Sequence, residues 1–258
     1  MNYSYIIVFL LDHIKFKNKS TQLLGKKIRE NNRKSNELRP IEILTGFVKN
    51  ADGSVLIKTG NTHVICTATI SEKIPPWLSN QGWITAEYSM LPASTSSRVS
   101  REITKGKKNS RSQEIQRLIG RSLRSSLDLK LLGEKSITID CDVLNADGGT
   151  RTASITGGYI ALKTALKKVF DGKMNSEILT PVAATSIGIV NGEVLLDLNY
   201  EEDSQAEVDL NIVMNSNLEI IEIQGTAEKQ SFSREKLNEM LDIGSQGIQK
   251  ILALQEEF

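Results

Sequence analysis

LNADGGTRTASITGGYIAL, residues 144–162, leaves an alternating strand and enters a helical pattern through two glycines and an arginine flanked by threonines. Gly148 and Gly149 let the backbone turn sharply, and a helix starting near Thr150–Ser154 offers unpaired N–H donors at its positive end. Arg151 adds a planar fork of donors suited to phosphate oxygens, and the Thr150 and Thr152 hydroxyls add more. The string matches neither the Walker loop nor the dinucleotide glycine pattern. On these residues alone, an anion cradle and a plain glycine turn with a Thr or Ser helix cap both stand.

The surrounding elements frame this junction. IEILTGFV, SVLIKTG and THVICTATI (41–48, 54–60, 62–70) read as a strand meander, and WITAEYSM (83–90) as a further strand. Residues 91–111 are polar and basic without apolar period, a long loop. SQEIQRLIGRSLRSSL (112–127) puts Ile115, Leu118, Ile119, Leu123 and Leu127 on one helical stripe, with Arg117, Arg121 and Arg124 off it. SITIDCDV (136–143) alternates as a half-buried strand, and the helix after the junction turns Ile155, Tyr159, Leu162, Leu166, Val169 and Phe170 inward. TPVAATSIGIV and EVLLDLNY form a hairpin about Asn191-Gly192; AEVDLNIVM and LEIIEIQGT form another about Ser216-Asn217. A last helix from about Ser233 buries Leu237, Met240, Leu241, Ile248, Ile251 and Leu252. The class is α+β, antiparallel or mixed sheets with packed helices.

Charge is segregated although the net is only +1. Lys15–Arg39 and Arg98–Arg124 each carry nine bases against two acids, whereas Asp197–Asp209 carries six acids and no base. Such blocks suit either solvated faces or a polyanion surface beside a cation site. Within DLNYEEDSQAEVDLNIV (197–213), Asp197 falls in a strand and Asp203 in a connection; Glu207 and Asp209 share a strand face. Clustered carboxylates repel unless they are solvated or share a cation such as Mg²⁺. With only His13 and His63, neither in a motif, a Ser-His-Asp hydrolase is excluded, as are zinc spacings. Cys66 and Cys141 lie singly in apolar strands, which fits a reduced cytoplasmic protein with buried thiols. YIIVFLL (5–11) is too short to span a bilayer and lacks a basic flank, so no membrane association is expected. Residues 1–36 read as a basic, disordered extension, or an over-long start of translation, and 37–258 as one domain.

Several long segments, GWITAEYSMLPASTSSR (82–98), KGKKNSRSQEIQRLIGRSLR (105–124), IDCDVLNADGGTRTASITGGYIAL (139–162), SIGIVNGEVLLDLNYEEDSQAEVDLNIVM (186–214) and IIEIQGTAE (220–228), occur in an order that resembles the ribonuclease PH family. The resemblance runs from about Leu38 to the C-terminus. It implies a ribosomal protein S5 domain 2-like fold, a homohexameric ring built as a trimer of dimers, and phosphate-dependent 3′-to-5′ trimming of transfer RNA precursors with 3′ extensions. It further implies inorganic phosphate held by Arg111, Gly149, Thr150 and Arg151, catalysis and Mg²⁺ binding at Asp203 and Asp209, and RNA guided by Arg98 and Arg101. Asp203 is then the candidate proton donor to the leaving oxygen. The chain departs from the family at Asn109-Ser110, where two glycines are usual, at Ala93, where an arginine is common, and in a short loop before Gln81. A hydrolytic metal-dependent nuclease and a non-catalytic RNA-binding ring subunit are the rival readings.

Overall fold

The computed structural model describes residues 29, 32–101, 109–170, 172, 178–229 and 231–258. The expected disorder of residues 1–36 falls, for 1–28, 30 and 31, outside the described residues. The chain divides into a short unit ending at Lys34, in which Arg29 Nη1 donates to the Lys34 carbonyl at 2.8 Å, and a compact unit from Ser35 to Phe258.

The larger unit has two sheets. Strands β1 (Ile41–Thr45), β2 (Gly53–Thr59), β3 (Thr62–Ser71), β4 (Trp83–Met90) and β5 (Ser136–Asn145) form the first, in the order β1-β2-β3-β5-β4. The two pairings of the predicted meander, β1–β2 and β2–β3, are antiparallel, as is β3–β5, whereas β4 and β5 are parallel, joined through helix α1 (Ser110–Arg124). The sheet is therefore mixed, because the crossover through α1 brings the chain back between β3 and the edge strand β4. The second sheet holds β6 (Val182–Val190), β7 (Glu193–Leu196), β8 (Val208–Asn215) and β9 (Ile220–Ala227) in the order β7-β6-β8-β9, all antiparallel. Asn191 and Gly192 both have positive φ, 51° and 76°, the tight hairpin that the dipeptide predicts.

Helix α2 (Thr150–Val169) lies between the layers, against β2, β3 and β5 on one side and β6 on the other. Sequence periodicity expects one buried face; instead Thr152–Leu162 is buried without interruption. Small residues permit this: a Cβ on Gly157 would lie 2.8 Å from Ile57 Cγ2 and 2.9 Å from Cys66 Sγ. Cys66 and Cys141 are directly paired across β3 and β5, both free and buried. Helix α4 (Arg234–Gln255), capped by Ser233, covers β6–β8 with Met240, Ile248, Ile251 and Leu252, while Leu237 and Leu241 are only partly buried. Among the described residues no helix is long and apolar enough to cross a membrane.

Two local expectations change. A short helix α3 (Tyr200–Gln205) replaces the connection assigned to Asp203, because Asn199 and Glu202 form a reciprocal capping box. Asp197 is not in a strand: it follows β7 with φ 54° and turns into the interior.

Candidate phosphate and carboxylate cleft

The glycine junction is held from behind. Arg39 donates Nη1 to the Asp147 carbonyl at 2.5 Å, and Thr62 Oγ1 donates to the Gly148 carbonyl at 2.6 Å. Arg39 itself is fixed by Asp197, with Nη2 to Oδ1 at 2.7 Å and Nε to Oδ2 at 3.1 Å; both side chains are at most 5% exposed. With its carbonyls turned inward, the chain passes through Gly148 and Gly149 at φ 72° and 65°. A side chain on Gly148 would place Cβ 2.4 Å from the Leu198 carbonyl, so only glycine fits.

Gly149 is the N-cap of α2 and brings no side chain to it. The first helical hydrogen bond is Ala153 N–H to the Gly149 carbonyl at 3.0 Å, so the preceding amides have no acceptor within the helix. The plain Thr or Ser cap is thereby ruled out. The expected hydroxyl donors have partners within the protein. Thr152 donates back to the Gly149 carbonyl at 2.9 Å, and Thr150 Oγ1 pairs with the Tyr88 hydroxyl at 2.9 Å.

Arg111, placed in a loop by sequence, lies in the first turn of α1. Asn109 caps that helix by accepting the Arg111 N–H at 3.0 Å, so the Asn-Ser departure replaces a flexible glycine pair with a side-chain cap worth about a few tenths of a kcal/mol over glycine. Of the six acids from Asp197 to Asp209, only Asp203 and Asp209 line the cleft. Asp197 faces Arg39, Glu202 caps α3, and Glu207 accepts the Gly192 N–H. Asp147 joins the halves of the site, since its Oδ1 accepts the first N–H of α3, that of Tyr200, at 3.0 Å.

Arg111, Arg151, Asp203 and Asp209 converge on one open cleft of about 490 Å³, whose wall includes Glu114, Asn211, Gln224 and Glu228. Burial raises the Asp203 carboxyl, with Arg111 and Arg151 opposing. Asp209 is pushed up to about 6, by burial first and then by the negative charge of Asp203, with Arg151 opposing and Glu228 adding to the rise. The cleft is a cationic wall facing two crowded carboxylates. Among the described residues no group of three or more His, Cys, Asp or Glu side chains is arranged to hold a metal alone. A pair of carboxylates is nevertheless a donor set that would suit a hard divalent cation such as Mg²⁺.

Arg98 and Arg101 are exposed, in the segment after β4, and are not among the cleft residues. The positive charge of Arg101 reaches Asp142 on β5 instead. Residues 102–108 of the basic loop lie outside the described residues. Sequence reading misses Glu114, Gln224 and Glu228 in the cleft and Arg39 behind it; the capping signature Asn199-x-x-Glu202 is a signal that could have found α3.

The description "3′ exoribonuclease family, domain 1" matches residues 37–168, and "3′ exoribonuclease family, domain 2" matches residues 180–247. A protein named ribonuclease PH from Crocosphaera subtropica is 54% identical over 233 residues, 89% of this chain and 96% of that one. The ribonuclease PH of Roseobacter denitrificans is 50% identical over 89% of this chain and 98% of its own length. Among solved structures, the Archaeoglobus fulgidus exosome with RNA bound to the active site superposes with a TM-score of 0.76 at 22% identity, covering 96% of this chain and 99% of that one. Rice Rrp46 superposes at 0.72 with 19% identity, covering 88% and 98%. At these identities the structural matches establish the fold.

Proposed function

The chain belongs to the 3′ exoribonuclease family of ribonuclease PH, and we propose that the cleft is where it shortens transfer RNA precursors from the 3′ end with inorganic phosphate as co-substrate. The observation that carries the site is the convergence of two arginines and two aspartates, from four separate elements, on one cleft.

Orthophosphate binds between Arg111, Arg151 and the uncapped amides at the start of α2, where hydrogen bonds and the helix dipole favour an anion. One of its oxygens attacks the terminal phosphorus in line. The bond to the 3′ oxygen of the penultimate nucleotide breaks, and the terminal nucleotide leaves as a nucleoside diphosphate. The expelled 3′ oxygen takes a proton. We assign the donor to the Asp203/Asp209 pair, the carboxylates that line the cleft together with Arg111 and Arg151. Mg²⁺ held by these two carboxylates would supply charge stabilisation at the reacting phosphate. Since one phosphoester replaces another, the reaction runs backward when nucleoside diphosphate is abundant.

Arg98, Arg101 and the basic loop are proposed to steer the RNA backbone on its way in, which makes binding salt-sensitive and weakly sequence-selective. A cytoplasmic location accords with the free thiols. A homohexamer, a trimer of dimers, accords with the family and with the exposed apolar side chains Leu44, Phe47, Ile220 and Ile223. Light scattering is expected to give a mass of six chains; a monomer at micromolar concentration would reject the ring.

The reaction is tested with a 3′-extended transfer RNA and Mg²⁺, with and without phosphate. Nucleoside diphosphate appearing only with phosphate is the expected result; monophosphate released without it would establish hydrolysis. Arg151→Ala should raise the KM for phosphate about 10- to 100-fold, the cost of a lost charge-assisted hydrogen bond, with little change in the KM for RNA.

A further inference from the structure

Arg151 does not hang free at the edge of the cleft. Its side chain is 17% exposed, and its Nη1 donates to Gln224 Oε1 on β9. The same amide donates Nε2 to Glu114 Oε1, one turn beyond Arg111 on α1, and that oxygen lies 3.4 Å from Arg151 Nη1. The three side chains close a ring in which the amide dipole is aligned, oxygen toward the cation and nitrogen toward the anion. The flipped amide would oppose NH₂ to guanidinium and oxygen to carboxylate, so one orientation is selected. Two residues back along β9, Glu222 takes Arg121 of α1 through Nε at 2.9 Å and Nη2 at 2.5 Å. The strand therefore fixes the helix bearing Arg111 at two points.

The ring commits one corner of the guanidinium. Among the described residues no acceptor takes Arg151 Nη2 or Nε, so the edge able to grip an anion with two parallel hydrogen bonds stays available. We propose that Glu114 and Gln224 are positioning residues that present this edge of Arg151 to the phosphate co-substrate. The inference rests on the phosphate site described above. Without Gln224, the Glu114 carboxylate is released to take the guanidinium edge-on and to compete with phosphate for it.

The test is steady-state phosphorolysis with phosphate and RNA varied in turn, on Gln224→Ala, Glu114→Ala, Glu114→Gln, Arg151→Ala and the Gln224→Ala/Arg151→Ala double variant. Gln224→Ala is expected to raise the KM for phosphate about tenfold while the KM for RNA stays within about twofold, the scale of one misplaced charge-assisted hydrogen bond. Glu114→Ala should shift it in the same direction, and Glu114→Gln, which retains an acceptor for the amide, should recover most of that loss. The double variant should match Arg151→Ala alone, because both changes act through one guanidinium. A Gln224→Ala penalty that persists in full in the Arg151→Ala background would overturn the inference while leaving the phosphate site in place. An Arg151→Ala enzyme with normal phosphate dependence would overturn the site itself. Glu114 is on an exposed helix surface, so its two variants decide the matter even if Gln224→Ala fails to fold.

Discussion

Arg39→Met is expected to lower the free energy of unfolding by about 3–5 kcal/mol, the usual cost of removing one member of a buried ion pair. The loss is mainly what remains behind: an Asp197 carboxylate sealed in the interior at 5% side-chain exposure, and an Asp147 carbonyl without its guanidinium donor. Urea denaturation, read as a lower midpoint at constant slope, measures it. Arg39→Met/Asp197→Asn removes both charges and keeps a residue that tolerates φ 54° at position 197, so about half or more of the loss should return. Activity should not return with it. The Arg39 donors that turn the glycine carbonyls inward are absent in both variants, and the KM for phosphate should stay high. A single-variant cost below about 1 kcal/mol would mean that the pair behaves as a solvated one.

The same pair shows what local sequence cannot reveal. Arg39 sits in a basic lead-in and Asp197 in an acidic run 158 residues later, and each alone reads as solvated charge. Strand β4 was legible to the residue because Trp83–Met90 alternates cleanly, and α1 was legible as a helix, though not in its first turn, from the apolar stripe that packs on β4 and α2. Helix α2 was legible in extent but not in burial, since a one-face periodicity is expected of a helix with one neighbour and α2 has two. Helix α3, at six residues, is too short for periodicity to register; only its capping box announces it. Arg111, Arg151, Asp203 and Asp209 could be named from family motifs. Their meeting depends on the pairing of β8 with β6 and β9 and on the first turns of α1 and α2 both reaching the same cleft. Gln224 carried no signal, for a glutamine on a half-exposed strand becomes informative only beside an arginine and a carboxylate.

Asp209→Asn should reduce kcat on the order of 10³-fold and at the same time make the protein more stable at neutral pH. In the native chain the Asp209 carboxyl is raised from 3.8 to about 6, so between those values the folded state binds more protons than the unfolded one. Stability from this group is fully present below about pH 4 and falls as the pH rises through 6, because ionisation then sets a desolvated charge beside Asp203. Asparagine has no such penalty. In chelator, the variant should equal the wild type near pH 4 and exceed it by up to about 2–3 kcal/mol above pH 7, the value of a two-unit shift. Mg²⁺ should narrow the gap by stabilising only the protein that retains the carboxylate. Equal stability across the range would show that Asp209 ionises without strain, and an active, more stable variant would remove it from the reaction. The two readouts together separate a carboxylate kept for chemistry from one kept for structure, since a structural carboxylate would destabilise the chain when neutralised.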